Sequence, residues 1–141
     1  MRQMVAVGVL LVCMVGCTST HVDDQSLYLS LGERDGIAAI VDEMLFLAIE
    51  DVRTSHHFAG SDLDALHGKF TDFICELVGG GCVYDGVDMR KAHRGMGLER
   101  RDFNASVEHL IDAMQAKNVP IPAQNQLLDL LADFYADVVE G

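Results

Sequence analysis

Apolar residues recur along most of this chain at intervals of three and four, the spacing that places them on one face of a helix. Ile37, Ile40, Val41, Met44, Leu45 and Ala48 form one such stripe and predict a helix over Gly36–Glu50. Leu63, Leu66, Phe70, Phe73, Ile74 and Leu77 predict a second over Asp62–Val78, which the run Gly79-Gly-Gly81 ends. Phe103, Val107, Leu110, Ile111 and Met114 predict a third over Asp102–Asn118. Leu127, Leu128, Leu131, Phe134, Tyr135 and Val138 predict a fourth over Ala123–Val139, after a break at Pro120 and Pro122. Ser26–Gly32 reads as a short opening helix. No segment alternates apolar and polar residues as a half-buried strand does. The expected architecture is all-α. The loop from Gly79 to about Val87 is long for a simple four-helix bundle, whose connections are short.

A further short helix is expected after that loop, within Gly86–Leu98. Met89, Ala92, His93 and Met96 share its apolar stripe, while Arg90, Lys91 and Arg94 take the other face. His93 therefore points inward among methionines. Two roles suit it. One is a core histidine bonded to a backbone carbonyl. The other is an axial ligand to a metal or haem iron, because neutral imidazole is the commonest metal ligand. The segment alone does not choose between them.

Composition narrows the partners. The chain has 141 residues, enough for one domain with one core. It carries 22 acidic and 10 basic side chains, a formal net charge of −12, which disfavours nucleic acid as a partner. Residues 1–17 stand apart: one positive charge, an almost wholly apolar run from Val5 to Val15, then Gly16-Cys17. The run is about half of the ~20 residues that span a bilayer, so it reads as an export signal. Its Gly-Cys ending resembles a lipoprotein signal, with Cys17 acylated. Met14 and Val15 stand where that pattern has Leu and a small residue, so a plain secretory leader or a misassigned start is the alternative. Thr18 after the cysteine suits sorting to an outer membrane. The chain thus divides into a signal at 1–17, a polar linker at 18–25 and a domain at 26–141. Cys75 and Cys82 flank the glycine run and could close a small disulfide loop in an exported protein. Otherwise Cys75 is a buried apolar residue and Cys82 a free thiol. No cysteine and histidine spacing matches a four-ligand zinc pattern well.

From Ser26 to about Val139 the order of motifs resembles the group I truncated haemoglobins. The residues that carry the likeness are Ser26-Leu-Tyr-x-x-Leu-Gly32, Ile37-Ala-Ala-Ile-Val-Asp-Glu43, Asp51, Phe58, Leu66-x-x-Lys69-Phe70 and Gly79-Gly80. Most specific is Tyr84-x-Gly-x-x-Met-Arg-x-x-His93, followed by Asp102-Phe103 and Val107-Glu-His-Leu110. The resemblance implies a two-over-two helical sandwich around haem b, with His93 as the proximal ligand. Met89, Leu98 and Phe103 would line the proximal side. Phe58 would press on the haem, and Lys69 would pair with a propionate. In the first glycine pair, Gly32 is followed by Glu33, which implies a slightly altered first corner.

The distal side departs from the family. Leu45 stands where the family usually places a tyrosine that bonds dioxygen. Leu66 and Phe70 occupy the positions that often carry Gln or another polar residue, and Met44 lies beside them. The implied pocket is apolar. His56, His57 and His67 read as surface residues, any of which could swing in as a donor or as a second axial ligand, and His109 reads as structural. The implied function is reversible binding of a diatomic gas (oxygen, NO or CO). An NO dioxygenase or weak peroxidase is the alternative. It would need an electron donor, and export away from cytosolic nicotinamide cofactors disfavours it. A haem-free helical lipoprotein is the second alternative.

Overall fold

The computed structural model describes residues 24–140. The expected signal segment, Cys17 and most of the linker lie outside the described residues. Seven α-helices follow in order: α1 (Asp24–Ser30), α2 (Glu33–Glu50), α3 (Leu63–Leu77), α4 (Met89–His93), α5 (Arg100–Ala116), α6 (Ile121–Ala132) and α7 (Tyr135–Val138). A 3-10 turn, Ser55–Phe58, lies between α2 and α3. Among the described residues every regular element is helical, and none is long and apolar enough to cross a membrane.

The hub is α2. Its buried residues are Ile37, Ile40, Val41, Met44, Leu45 and Ala48, the stripe its periodicity predicts. It packs against α3 and α5, while α6 contacts α1 and α5. Leu27, Ile74, Leu110, Met114 and Leu127 close the core around it.

Besides earlier starts of α2, at Glu33, and of α5, at Arg100, boundaries depart from the sequence reading in three places. First, α1 begins at Asp24, inside the expected linker. Second, α6 starts at Ile121 with Pro120 as its N-cap and Pro122 in its first turn. Proline tolerates the start of a helix, where its missing N–H has no partner to lose, so this pair opens a helix as well as breaking the chain. Third, the last helix is split. Phe134 N–H bonds Leu131 O at 3.1 Å in a tighter turn. That turn sets the Phe134 ring edge-on to Phe73 (5.2 Å) and the Tyr135 ring edge-on to Phe103 (5.0 Å). A turn of 3-10 type keeps nearly helical spacing, so the apolar pattern does not reveal it.

The first corner shows how the incomplete glycine pair is accommodated. Gly32 has φ +83° and Glu33 has φ +60°, so Glu33 adopts the left-handed conformation that a glycine takes freely. That conformation costs a side-chain-bearing residue about 1–2 kcal/mol. Glu33→Gly should remove this cost. The extra chain entropy of glycine and the loss of a favourable charge at the start of α2 offset much of this, so a net gain of at most about 1 kcal/mol is expected. Thermal unfolding should then move up by at most about 5 °C. A midpoint that falls instead would show that the Glu33 charge outweighs the backbone strain.

The turn after α2 rests on a polar network. Asp51 accepts from the Arg53 backbone N–H and guanidinium, both at 2.8 Å, and from His109 Nε2 at 2.9 Å. Arg53 also pairs with Glu108 of α5 at 2.8 Å. The Arg53 guanidinium holds the Asp51 carboxyl well below the usual carboxylate range, with His109 adding to it. His109 is thus a structural residue, joining α5 to the end of α2. At the far end of α3, Cys75 and Cys82 form a disulfide with a Cα–Cα distance of 5.6 Å.

Candidate functional site

Between α2, α3, α4 and α5 lies a cavity of about 410 Å³. Most of its wall is apolar side chain. Met44 and Leu45 come from α2, Phe58 from the 3-10 turn, and Leu66, Lys69 and Phe70 from α3. Met89 and His93 face them from α4, joined by Leu98 and by Phe103 of α5. The structure thus brings together around one space the residues that the sequence singles out along 60 positions, Met44 to Phe103.

The cavity explains why α3 differs from a core helix. Only Thr71, Ile74 and Cys75 of α3 are buried, whereas Leu66, Phe70 and Phe73 are half-buried and face the open space. The same correction applies to the methionine stripe. No residue of α4 is buried, and Met96 lies beyond its end, 39 % exposed. Met89, Ala92, His93 and Met96 form a cavity wall and not a packed core.

The His93 ring is oriented from within its own helix. Its Nδ1–H donates to the Met89 carbonyl at 2.8 Å. With the proton on Nδ1, the lone pair is on Nε2, which leaves that nitrogen chemically able to act as a ligand atom. α4 itself is short but well started: Asp88 caps it by accepting from Lys91 N–H at 2.9 Å. That contact holds the Asp88 carboxyl below its ordinary value. The loop before it is shaped by Tyr84, whose hydroxyl donates to Val87 O at 2.8 Å. A Cβ on Gly86 would meet the Tyr84 ring at 2.3 Å, so the Tyr84-x-Gly86 spacing reflects a ring lying across bare backbone.

Lys69 stands at the cavity rim and is ion-paired with Asp85, a partner the sequence reading did not identify. The Asp85 carboxylate raises the Lys69 ammonium, and Lys69 lowers Asp85 in turn. Three further polar groups in the wall are already engaged. Thr54 Oγ1 donates to Ala48 O (2.7 Å), the Tyr84 hydroxyl to Val87 O, and Ser106 Oγ to Asp102 O (3.1 Å).

The three uncertain histidines separate. His67 Nε2 bonds Ala38 O at 2.9 Å, on the α2 side and away from the cavity lining. His56 lies against His57, ring centroids 3.9 Å apart, and lines an adjoining outer pocket of about 630 Å³ with Arg53 and Arg101. His57 is not a surface residue. Its side chain is 11 % exposed, it lines both spaces, and its Nε2 is 3.6 Å from Asp102 Oδ1. Helical periodicity carries no signal for it, because it sits in a 3-10 turn. Asp102 spends its other oxygen on Glu99 N–H at 2.8 Å, which starts α5 and holds the carboxyl below its ordinary value, with His57 contributing.

This arrangement has counterparts. The Bacterial-like globin family model matches residues 26–140. The chain belongs to that family. Among its relatives are group 1 truncated hemoglobins. That of Mycolicibacterium paratuberculosis is 27 % identical over 82 % of this chain and 85 % of its own length. That of Synechocystis is 30 % identical over 67 % of this chain and 80 % of its own. The crystal structure of the Fe(III) form of truncated hemoglobin from Tetrahymena pyriformis superposes with a TM-score of 0.78 at 28 % identity, covering 82 % of this chain and 98 % of that one. A 2/2 hemoglobin from Synechococcus, in the cyanomet state with covalently attached heme, superposes with a TM-score of 0.75 at 24 % identity. The fold of this globin is therefore the two-over-two helical sandwich expected from the motifs.

Proposed function

We propose that the cavity binds haem b, that His93 Nε2 is its axial ligand, and that this globin reversibly binds a diatomic gas. The observation that carries the reading is the His93 imidazole: its Nδ1–H is fixed on Met89 O, and it stands in the wall of an apolar cavity. The residues present fit a flat, largely apolar macrocycle with one axial donor and an anionic edge. Leu66 and Phe70 of α3 would lie over one face, and Met89, Leu98 and Phe103 under the other. Phe58 would press on the ring. Lys69 at the rim would meet a carboxylate edge, exchanging Asp85 for it. Bound haem supplies an iron centre that takes up a diatomic gas.

What this chain's residues add is exclusion and orientation. The apolar walls keep bulk water from the ligand. The Met89 carbonyl sets the imidazole tautomer and plane. On the far side Leu45, Leu66 and Phe70 offer no hydrogen-bond donor, so these three would contribute packing alone to a gas held at the bound group. The test is an absorption series on protein supplied with haem in its ferric, ferrous and ferrous-CO forms. A Soret band that shifts on reduction and again with CO is expected. No Soret band would overturn the reading and leave a haem-free helical module.

We also infer that residues 1–17 direct export and that Cys17 carries the lipid. The Cys75–Cys82 disulfide supports this, since such bonds persist in oxidising compartments. Intact mass of membrane-extracted protein should show acylated Cys17 as the first residue. A mature chain still beginning at Met1, or a soluble one, would sink it.

A further inference from the structure

We infer that Glu140 is a positioning residue for His93, a carboxylate latch that holds the loop following the axial histidine. The inference rests on the reading of His93 as the axial ligand.

α4 contributes nothing to the buried core. It has five residues, none of them buried, so little apolar burial fixes the position of His93. Its main neighbour is α7, close to the end of the chain. Arg90 of α4 pairs with Asp137 of α7. Beyond α7, Glu140 makes three contacts with the loop between His93 and α5. Its carboxylate accepts from Gly95 N–H through Oε1 and from Gly97 N–H through Oε2, the latter at 3.2 Å. Its own N–H donates to Leu98 O at 2.8 Å.

The backbone of that loop is shaped for this purpose. Gly95 has φ +78° and Gly97 φ +64°, left-handed conformations that turn both N–H groups toward one carboxylate. Converging backbone N–H groups of this kind form a concave anion site, and bonds from them to a carboxylate are charge-assisted. Met96 N–H bonds His93 O at 3.2 Å, so the latched loop is tied directly to the axial residue. Leu98, which Glu140 holds by its carbonyl, is itself part of the cavity wall. The latch thus fixes both ends of the segment from His93 to Leu98.

The test compares Glu140→Ala and Glu140→Gln with the parent. Removing a charge-assisted pair should speed haem release about tenfold in Glu140→Ala, with a smaller change in Glu140→Gln, which keeps one acceptor. Resonance Raman of the ferrous protein should show the iron–histidine stretch broadened or shifted in Glu140→Ala. In the haem-free protein, hydrogen exchange across residues 89–98 should accelerate in the same variant, while α2 and α5 exchange as in the parent. Parental exchange at 89–98 together with a parental iron–histidine stretch would overturn the latch. A parent with no iron–histidine stretch would instead overturn His93 as the ligand. Equal acceleration throughout the chain would overturn the latch as well, since it would mean that Glu140 serves general stability and not the position of His93.

Discussion

Replacing His93 by glycine should weaken haem retention by more than about a hundredfold, the upper end of what loss of even an outer partner of a metal ligand does. The variant removes the one imidazole whose free nitrogen belongs to the cavity wall and whose other nitrogen is spoken for by Met89 O. It should do so without unfolding the chain, because α4 places no residue in the core and the space around His93 is open. Helix content and the unfolding midpoint should therefore stay close to those of the parent. Added imidazole should restore the spectrum, since glycine leaves a hole of the right shape next to the Met89 carbonyl, the acceptor for an imidazole N–H. Titration with haem, with and without imidazole, measures both effects. Parental affinity and an unchanged ferrous spectrum in the variant would mean that another group holds the iron. His57 is then the residue to replace, as the second imidazole in the wall.

The two histidines show what a sequence reveals and what it hides. His93 is legible because a short amphipathic stripe isolates it from the charges of its own helix, and because the Tyr84-to-His93 spacing is specific. The side chains facing it are legible for the same reason: Leu45, Leu66, Phe70 and Phe103 sit at periodic positions on long helices. Periodicity says that a face is inward but not whether it meets a core or a void. Half the expected core of α3 proves to be cavity wall. His57 is hidden because its turn has no period, and its neighbour Asp102 reads only as the cap of α5. The Asp85 partner of Lys69 and the Glu140 latch are hidden for a different reason. Each joins segments whose proximity arises only when the loop after α3 and the chain end fold back on α4. Glu33 is a local case. The missing glycine is plain in the sequence, yet only the φ of +60° shows that the corner keeps its shape at a cost.

The apolar face opposite His93 leads to the other large effect. Leu45 is 7 % exposed on α2, and it lines the cavity at the position where the family resemblance leads one to expect a tyrosine hydroxyl. Dioxygen held at a ferrous centre draws negative charge onto itself and gains from a nearby donor. Such a charge-assisted hydrogen bond contributes about 1.5–3 kcal/mol. Carbon monoxide gains much less. The parent should therefore release dioxygen fast and discriminate poorly against CO. Leu45→Tyr places a hydroxyl in the pocket and should slow dioxygen release by about ten- to a hundredfold, at roughly 1.4 kcal/mol per decade. CO release should hardly change. The ring is larger than the leucine it replaces, and overpacking typically costs ~1–3 kcal/mol, so a lower unfolding midpoint is expected alongside. Leu45 also borders the open cavity, which limits that cost. Stopped-flow release of both gases from parent and variant measures the difference directly. Slow dioxygen release in the parent would show that a donor already reaches the ligand. Of the wall's polar groups, Thr54, Tyr84 and Ser106 are engaged with backbone carbonyls. His57, whose Nε2 has no hydrogen-bond partner among the described residues, would then be the group that turns inward, and His57→Phe would restore fast release.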